Sequence, residues 1–190
     1  MKLSILAYGD PILKKVAEEI TTEYLELNIL ISNMFDTMYA ANGVGLAAPQ
    51  IGLPIRLFVI DATPFYDEEA LKPKGLKKVF INALITEESG NKWTFNEGCL
   101  SIPDVREDVY RHPNILISYF DENWIFYEEQ FSGLMARVIQ HEYDHIEGKL
   151  FTDRINPLRK TMLKGKLDSI SKGIVKVEYK MRFPASKKKR

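Results

Sequence analysis

Gln140-His141-Glu142-Tyr143-Asp144-His145-Ile146-Glu147-Gly148 is the stretch that decides how this chain is built. It contains H-E-x-x-H. On an α-helix, residues four apart share one face, one turn of about 5.4 Å apart. His141 and His145 can therefore reach one metal ion. Glu142 stands about 100° round the helix, close enough to act on a metal-activated water without being a ligand. The surroundings read as a helix: Ser132 as N-cap, Gly148 as the stop, no proline between. Leu134, Val138, His141 and His145 follow one another at spacings of four, three and four, a single stripe at helical period. The histidines continue an apolar face. Two of them at this spacing, with Glu142 between, point to metal rather than to core packing.

The number of ligands decides the kind of site. Structural zinc sites are closed by four protein ligands, whereas catalytic ones keep a position for water. The chain has three histidines and one cysteine. His112, in Arg111-His112-Pro113-Asn114, reads as an exposed turn residue. Cys99 is the remaining soft ligand. A set of Cys99, His141 and His145 leaves a fourth corner open, which points to activated water rather than a structural staple. An aspartate or glutamate in place of Cys99 stays open on spacing alone.

Working outward, 190 residues suit one domain, and 45% hydrophobic with 27% charged residues can bury a core. Twenty-six basic side chains balance 26 acidic ones, which gives no overall electrostatic case for nucleic acid or an anionic membrane. A single cysteine excludes an internal disulfide. The opening, MKLSILAYGDPILKK, is broken by Asp10-Pro11 and reads as neither a signal nor a transit peptide. No apolar run approaches the ~20 residues of a membrane span. The expected location is the cytoplasm.

Along the chain, residues 1–20 read as irregular around Gly9-Asp10-Pro11. A helix is predicted from Thr22 to Asn42-Gly43, with Tyr24, Leu27, Ile31, Met34, Phe35 and Met38 inward. Gly43-Val44-Gly45-Leu46-Ala47-Ala48-Pro49-Gln50 follows, small enough to let backbone approach something closely. It lacks the G-K-S/T of a phosphate loop. Ile55–Asp61 reads as a buried strand, 62–77 as an exposed loop, and Val79–Ile85 and Lys92–Phe95 as strands about a turn. Ile115–Phe120 and Trp124–Phe131 form a hairpin candidate. A last helix runs from Pro157, behind Asn156, to Ser171, with Leu158, Met162, Leu163 and Leu167 inward. One more strand, Ile174–Tyr179, precedes a flexible basic tail from about 184, ending in Lys187–Arg190. The fold class is α+β: antiparallel sheets around a central metal-binding helix, with an N-terminal and a C-terminal helix, in a single catalytic domain spanning 1–190.

Three segments, in this order, resemble one family. Gly43 to Gln50 is similar to the G-φ-G-φ-A-A-x-Q motif of peptide deformylases, Glu97-Gly98-Cys99-Leu100-Ser101 to their E-G-C-φ-S, and Gln140 to His145 to their Q-H-E-φ-D-H. The bacterial type is the better match, since Cys99 to Pro103 runs without an insertion. The resemblance covers the chain from about Leu6 to the helix after Asn156-Pro157. The loop from Ala62 to Lys78 and the tail from Gly173 stand outside it, and nothing catalytic is inferred from either.

The resemblance implies a metal-dependent hydrolase that removes the formyl group from N-formylmethionyl nascent peptides. It implies ligation by Cys99, His141 and His145, with Fe(II) as the physiological ion and Zn, Ni or Co as substitutes. Glu142 is then the proton carrier. The Gln50 side chain and the Leu100 N–H are the donors to the developing oxyanion. Val44, Phe95, Leu134 and Val138 are expected around the methionine side chain, with Gly45 and Arg106 also among the substrate-binding residues, Arg106 against the peptide backbone. Glu97 is expected to hold Gln50 or nearby backbone, and Asp144 to orient a histidine or cap local backbone. Lys187–Arg190 suggests a weak, transient ribosome contact. The alternative is a zincin-like metallopeptidase, whose third ligand is usually a downstream His or Glu; no downstream carboxylate here sits in a matching pattern. A metal-stapled binding module would need a fourth protein ligand.

Overall fold

The computed structural model describes residues 1–66 and 76–184. In chain order the elements are β1 (Ile5–Leu6), α1 (Leu27–Ala40), β2 (Gly45–Ala47), β3 (Leu57–Asp61), β4 (Lys77–Ser89), β5 (Trp93–Cys99), β6 (Ile102–Arg111), β7 (Asn114–Phe120), β8 (Phe126–Ser132), α2 (Gly133–Ile146), α3 (Pro157–Ser171) and β9 (Met181–Arg182). Strands β2-β3-β4-β7-β8 form one antiparallel sheet; β5-β6 and β1-β9 are separate pairs. The fold is α+β, as expected, with one departure: β1 and β9 run parallel.

Strand β3 shows why the sheet sits where it does. Leu57, Phe58, Val59 and Ile60 are all fully buried, because a strand covered on both faces has no polar side to show water. Phe58 and Ile60 pack with Phe80, Ile117, Met135 and Ile139, on the α2 side. Leu57 and Val59 pack with Ile31, Met34, Met38 and Ile81, on the α1 side. The sheet is thus held between two helices, and α2 lies in the middle of the molecule. Its residues Met135 to Gln140 are buried without a break, so a helix read from one stripe is in fact covered nearly all round. A third cluster, with Ile102, Val105, Val109, Phe151, Leu167 and Ile170, joins β6 to α3.

Several boundaries differ from the sequence reading. Helix α1 begins at Leu27, not Thr22, because Glu26 is left-handed (φ 58°) and the preceding residues form turns. Ser132 precedes α2 in an extended conformation, but its hydroxyl caps nothing; the Gly133 N–H donates instead to the Pro113 carbonyl at 2.9 Å. Gly148 ends α2 at φ +67°, and a Cβ there would meet the Lys14 carbonyl oxygen at 2.7 Å. Helix α3 has the predicted ends, with Asn156 Oδ1 accepting from the Leu158 N–H at 2.8 Å. Its inner face is the predicted one only in part: Leu167 is buried and Leu163 packs beside it, joined by Ile170, but Leu158 and Met162 are 70% and 66% exposed. Strands β4 and β5 do not pair with each other, since β5 turns away to pair with β6. No strand forms over Ile174–Tyr179; the chain extends past it to β9. Residues 67–75 of the predicted loop and the basic run Lys187–Arg190 lie outside the described residues.

Candidate active site

Three segments meet at the floor of a cleft of about 780 Å³: β2 with the 3₁₀ turn Ala48–Ile51 that follows it, the turn joining β5 to β6, and the middle of α2. They bring Cys99, His141 and His145 together, with one ligand atom of each within 4.8 Å of the others. Cys99 Sγ lies 3.3 Å from His145 Nε2. Tetrahedral metal–ligand bonds of about 2.0–2.3 Å place neighbouring ligand atoms some 3.3–3.8 Å apart, so the thiol and imidazoles fit a divalent ion. His141 turns its Nδ1 to Glu97 Oε2 at 2.9 Å. That contact fixes the ring and frees Nε2 for the metal.

Glu97, expected to hold Gln50 or nearby backbone, holds instead the ring of His141 and two arginines. It is buried and accepts from Arg111 Nε at 2.7 Å, Arg111 Nη2 at 2.9 Å and Arg137 Nη1 at 3.0 Å, besides His141. Burial pushes its pKa up, but the hydrogen bonds from Arg111 and His141 outweigh burial and hold it far below the carboxylate range. Asp144 orients no histidine. It accepts from Arg111 Nη1 at 2.7 Å and from Arg154. Arg111 thereby ties Glu97, behind the metal ligands, to Asp144 on α2. A charge is tolerated at this depth because guanidinium groups hydrogen-bond each carboxylate.

Glu142 is buried beside the ligand trio, and its Oε2 has no partner among the described residues. Burial raises its carboxyl to about 7, against the lowering effect of His141. Burial, and then His141, hold the proton affinity of His145 well down, whereas at His141 burial is outweighed by the hydrogen bonds to Cys99 and Glu97, which raise it. Gln50 is pinned at its Oε1 by the Ala47 N–H at 2.8 Å. Its Nε2 then faces Ser101 Oγ at 3.3 Å and Cys99 Sγ at 3.5 Å.

Three glycines make this assembly possible. A Cβ on Gly45 would stand 2.3 Å from Glu142 Oε1, one on Gly43 2.8 Å from Leu100 Cδ1, and one on Gly98 2.9 Å from Arg106 Nη1. The small-residue motif is therefore small because a carboxylate and a leucine occupy the space.

The remaining predicted residues distribute as follows. Val44, Gly45, Phe95, Leu100, Arg106 and Val138 line the cleft. Arg106 donates from Nε to Asn96 Oδ1 at 2.9 Å, which holds its head along the rim. Leu134 does not line the cleft; it lies one turn before Val138, near the start of α2. His112 sits apart, its Nδ1 2.7 Å from the Gly90 carbonyl oxygen. Both segments set aside from catalysis reach the cleft: Phe65 from the loop, and Lys176, Val177, Glu178 and Tyr179 from the tail. The sequence reading also missed Arg111 and Arg137, whose signal was alternation in β6 and a cation on the buried side of α2.

The model of the family described as "Polypeptide deformylase" matches residues 2–161. The chain belongs to that family. It is 60% identical over 196 aligned residues to the peptide deformylase of Christiangramia forsetii, with all of both chains covered. Among solved structures, a peptide deformylase from Legionella pneumophila superposes with a TM-score of 0.79 at 38% identity, covering 92% of this chain and 98% of the other. The peptide deformylase of Synechococcus elongatus, solved in complex with actinonin, gives a TM-score of 0.74 at 40% identity, covering 86% and 85%. The chain is thus a metal-dependent hydrolase of the family that removes the N-formyl group from nascent peptides, and the zincin-like alternative falls away. No helix among the described residues is long and apolar enough to cross a membrane.

Proposed function

We propose that Cys99, His141 and His145 hold one divalent ion, and that Glu142, Gln50 and Leu100 carry formyl hydrolysis beside it. The carrying observation is the ligand trio on the floor of the cleft, with the unpartnered carboxylate of Glu142 alongside. When bound, the ion supplies Lewis acidity, which acidifies a water towards a pKa of ~7 and polarises the formyl oxygen. Fe(II) is the ion proposed for the cell, with Zn, Ni or Co able to replace it in purified protein.

The chain's own residues do the rest. Glu142 takes the proton from the attacking water and delivers it to the leaving amine. Gln50 Nε2 and the Leu100 N–H donate to the oxygen that becomes negative, each worth roughly 2.7–4 kcal/mol. Gln50 can do so because its other amide atom is already committed to Ala47. Val44, Phe95 and Val138 form the apolar wall for the methionine side chain; Gly45 leaves room for Glu142 beside it; Arg106 meets the peptide at the rim. The chain acts as one catalytic domain in the cytoplasm. The four cations of Lys187–Arg190 hold ribosomal RNA weakly, and no DNA or membrane partner is proposed. Deleting those residues should reduce co-sedimentation with ribosomes at low salt.

The deciding experiment measures formate release from formyl-Met-Ala-Ser by anaerobically prepared protein, with and without a chelator. Release that stops on chelation and returns with Fe(II) supports the reading. Cys99→Ser should lose most of the metal while keeping the fold; full metal occupancy in that variant would remove Cys99 from the ligand set.

A further inference from the structure

Residues beyond 161 lie outside the part of the chain that the family model matches, yet they reach the proposed oxyanion donors. The Tyr179 hydroxyl donates to the Leu100 carbonyl at 2.7 Å. Leu100 and Ser101 are the two turn residues between β5 and β6, since Cys99 pairs with Ile102. The same turn is gripped from a second side, where the Tyr8 N–H donates to the Ser101 carbonyl at 2.8 Å. Tyr8 follows β1 and Tyr179 precedes β9. Those strands are locked to each other by Ile5 N–H to Lys180 O and Ala7 N–H to Arg182 O, both at 2.9 Å. One small parallel sheet therefore sends a hydrogen bond from each of its sides to one turn. The tail also touches the other donor's segment: a Cβ on Gly52 would stand 2.8 Å from Arg182 Nη2, and Gly52 closes the 3₁₀ turn that carries Gln50.

We propose that Tyr179 is a positioning residue for formyl hydrolysis, holding the Leu100 peptide so that the Leu100 N–H faces the developing oxyanion. The inference rests on the role proposed above for Leu100. Its physical content is simple. The Leu100 carbonyl and N–H belong to rigid peptide planes that adjoin at the Leu100 Cα, so fixing one plane on Tyr179 narrows the Leu100 torsions through which the other turns. Donors help only when they are already aimed at the charge as it forms, and misplacement by about 1 Å can cost 10²-fold. Tyr179 lines the cleft, but its hydroxyl is committed to the Leu100 carbonyl, so it acts through Leu100.

Tyr179→Phe removes the hydroxyl and leaves the ring in place. In zinc-loaded protein the expected result is a fall in kcat of about tenfold, short of the 10²–10³ for losing a donor outright. KM should stay within about twofold, and metal content should be unchanged. The Leu100 amide resonance should move and its hydrogen exchange quicken, while amides of α1 stay put. An unchanged kcat, or a loss that only tracks lost metal, overturns the inference. So does a Leu100 amide that does not move, a readout that needs no turnover. Formate release by the wild type tests the function separately, so the two readings fail in different measurements.

Discussion

The hydrogen atom that Gly45 carries in place of a side chain faces the carboxylate of Glu142: a Cβ there would lie 2.3 Å from Oε1 and 2.7 Å from both Cδ and Cγ. A methyl group would have to displace the whole carboxylate, not merely its tip. Gly45→Ala is therefore expected to retain the metal, since the atoms nearest the added methyl belong to Glu142 and not to a ligand, and to lose about 10²-fold or more in kcat through misplacement of the proton carrier. Metal analysis with steady-state kinetics checks it. A rate within threefold of wild type would mean that Glu142 has a second working position.

Glu142→Gln keeps the side chain's size and removes the base. Metal content and melting temperature should stay near wild type, and kcat should fall by at least the ~10²–10⁴ of a positioned general acid–base. The loss belongs in kcat because Glu142 contributes little to ground-state binding. Loss of metal in this variant would make Glu142 a ligand.

Val44, Phe95 and Val138 wall the cleft near the metal trio. Formyl-Met peptides should be cleaved one to two orders of magnitude faster, in kcat/KM, than formyl-Ala peptides, at ~0.8 kcal/mol for each buried methylene equivalent. Equal rates on the two substrates would put the methionine pocket elsewhere.

Glu97 takes hydrogen bonds from two buried guanidinium groups and from His141. Glu97→Leu leaves Arg111 and Arg137 without that counter-charge, for which about 3–5 kcal/mol of destabilisation is expected. It also releases the His141 ring, which should weaken metal affinity about 10–100-fold. Denaturant titration and competition with a chromophoric chelator measure the two losses independently.

Asp153 sets an acid limit on stability. It accepts from Lys14, from Lys160 at 2.7 Å and from the Leu150 N–H at 3.0 Å. Burial works against the charge, but Lys14 and Lys160 hold the carboxyl down at about 2. A carboxylate whose folded pKa lies below its unfolded one of about 3.9 stabilises the fold above the unfolded value. That stability drains away as pH falls from about 4 to about 2. Asp153→Asn should therefore lower stability at pH 7 and flatten the acid limb over that window. An unaltered slope there would show that Asp153 is not responsible.

The sequence carried the site further than the sheet topology. H-E-x-x-H needs only helical geometry, and α2 supplied it. Strand β6 was missed for a specific reason. Its inward positions alternate strictly, but Val105 and Val109 are interleaved with the buried charges Glu107 and Arg111. Charge on the inner face conceals a strand from any reading based on hydrophobicity. Those charges make sense only once Arg159 from α3 and Glu97 from β5 are in place. Leu158 and Met162 misled in the opposite direction: they share a face with each other at a spacing of four, but stand about 140–180° round the helix from the buried Leu167 and lie over solvent. The tail was unreadable because the partner that orders it, β1, stands at the other end of the sequence.

That last pairing has a consequence in time. Residue 5 is matched with residue 181, so nearly the whole chain forms the loop that the contact closes, and closure entropy grows with the length of the loop. During translation β1 leaves the ribosome long before β9 exists, and the turn bearing Leu100 is then gripped from the Tyr8 side alone. If Tyr179 has the role inferred for it, an enzyme still being synthesised lacks part of its own positioning machinery until the end of the chain has emerged.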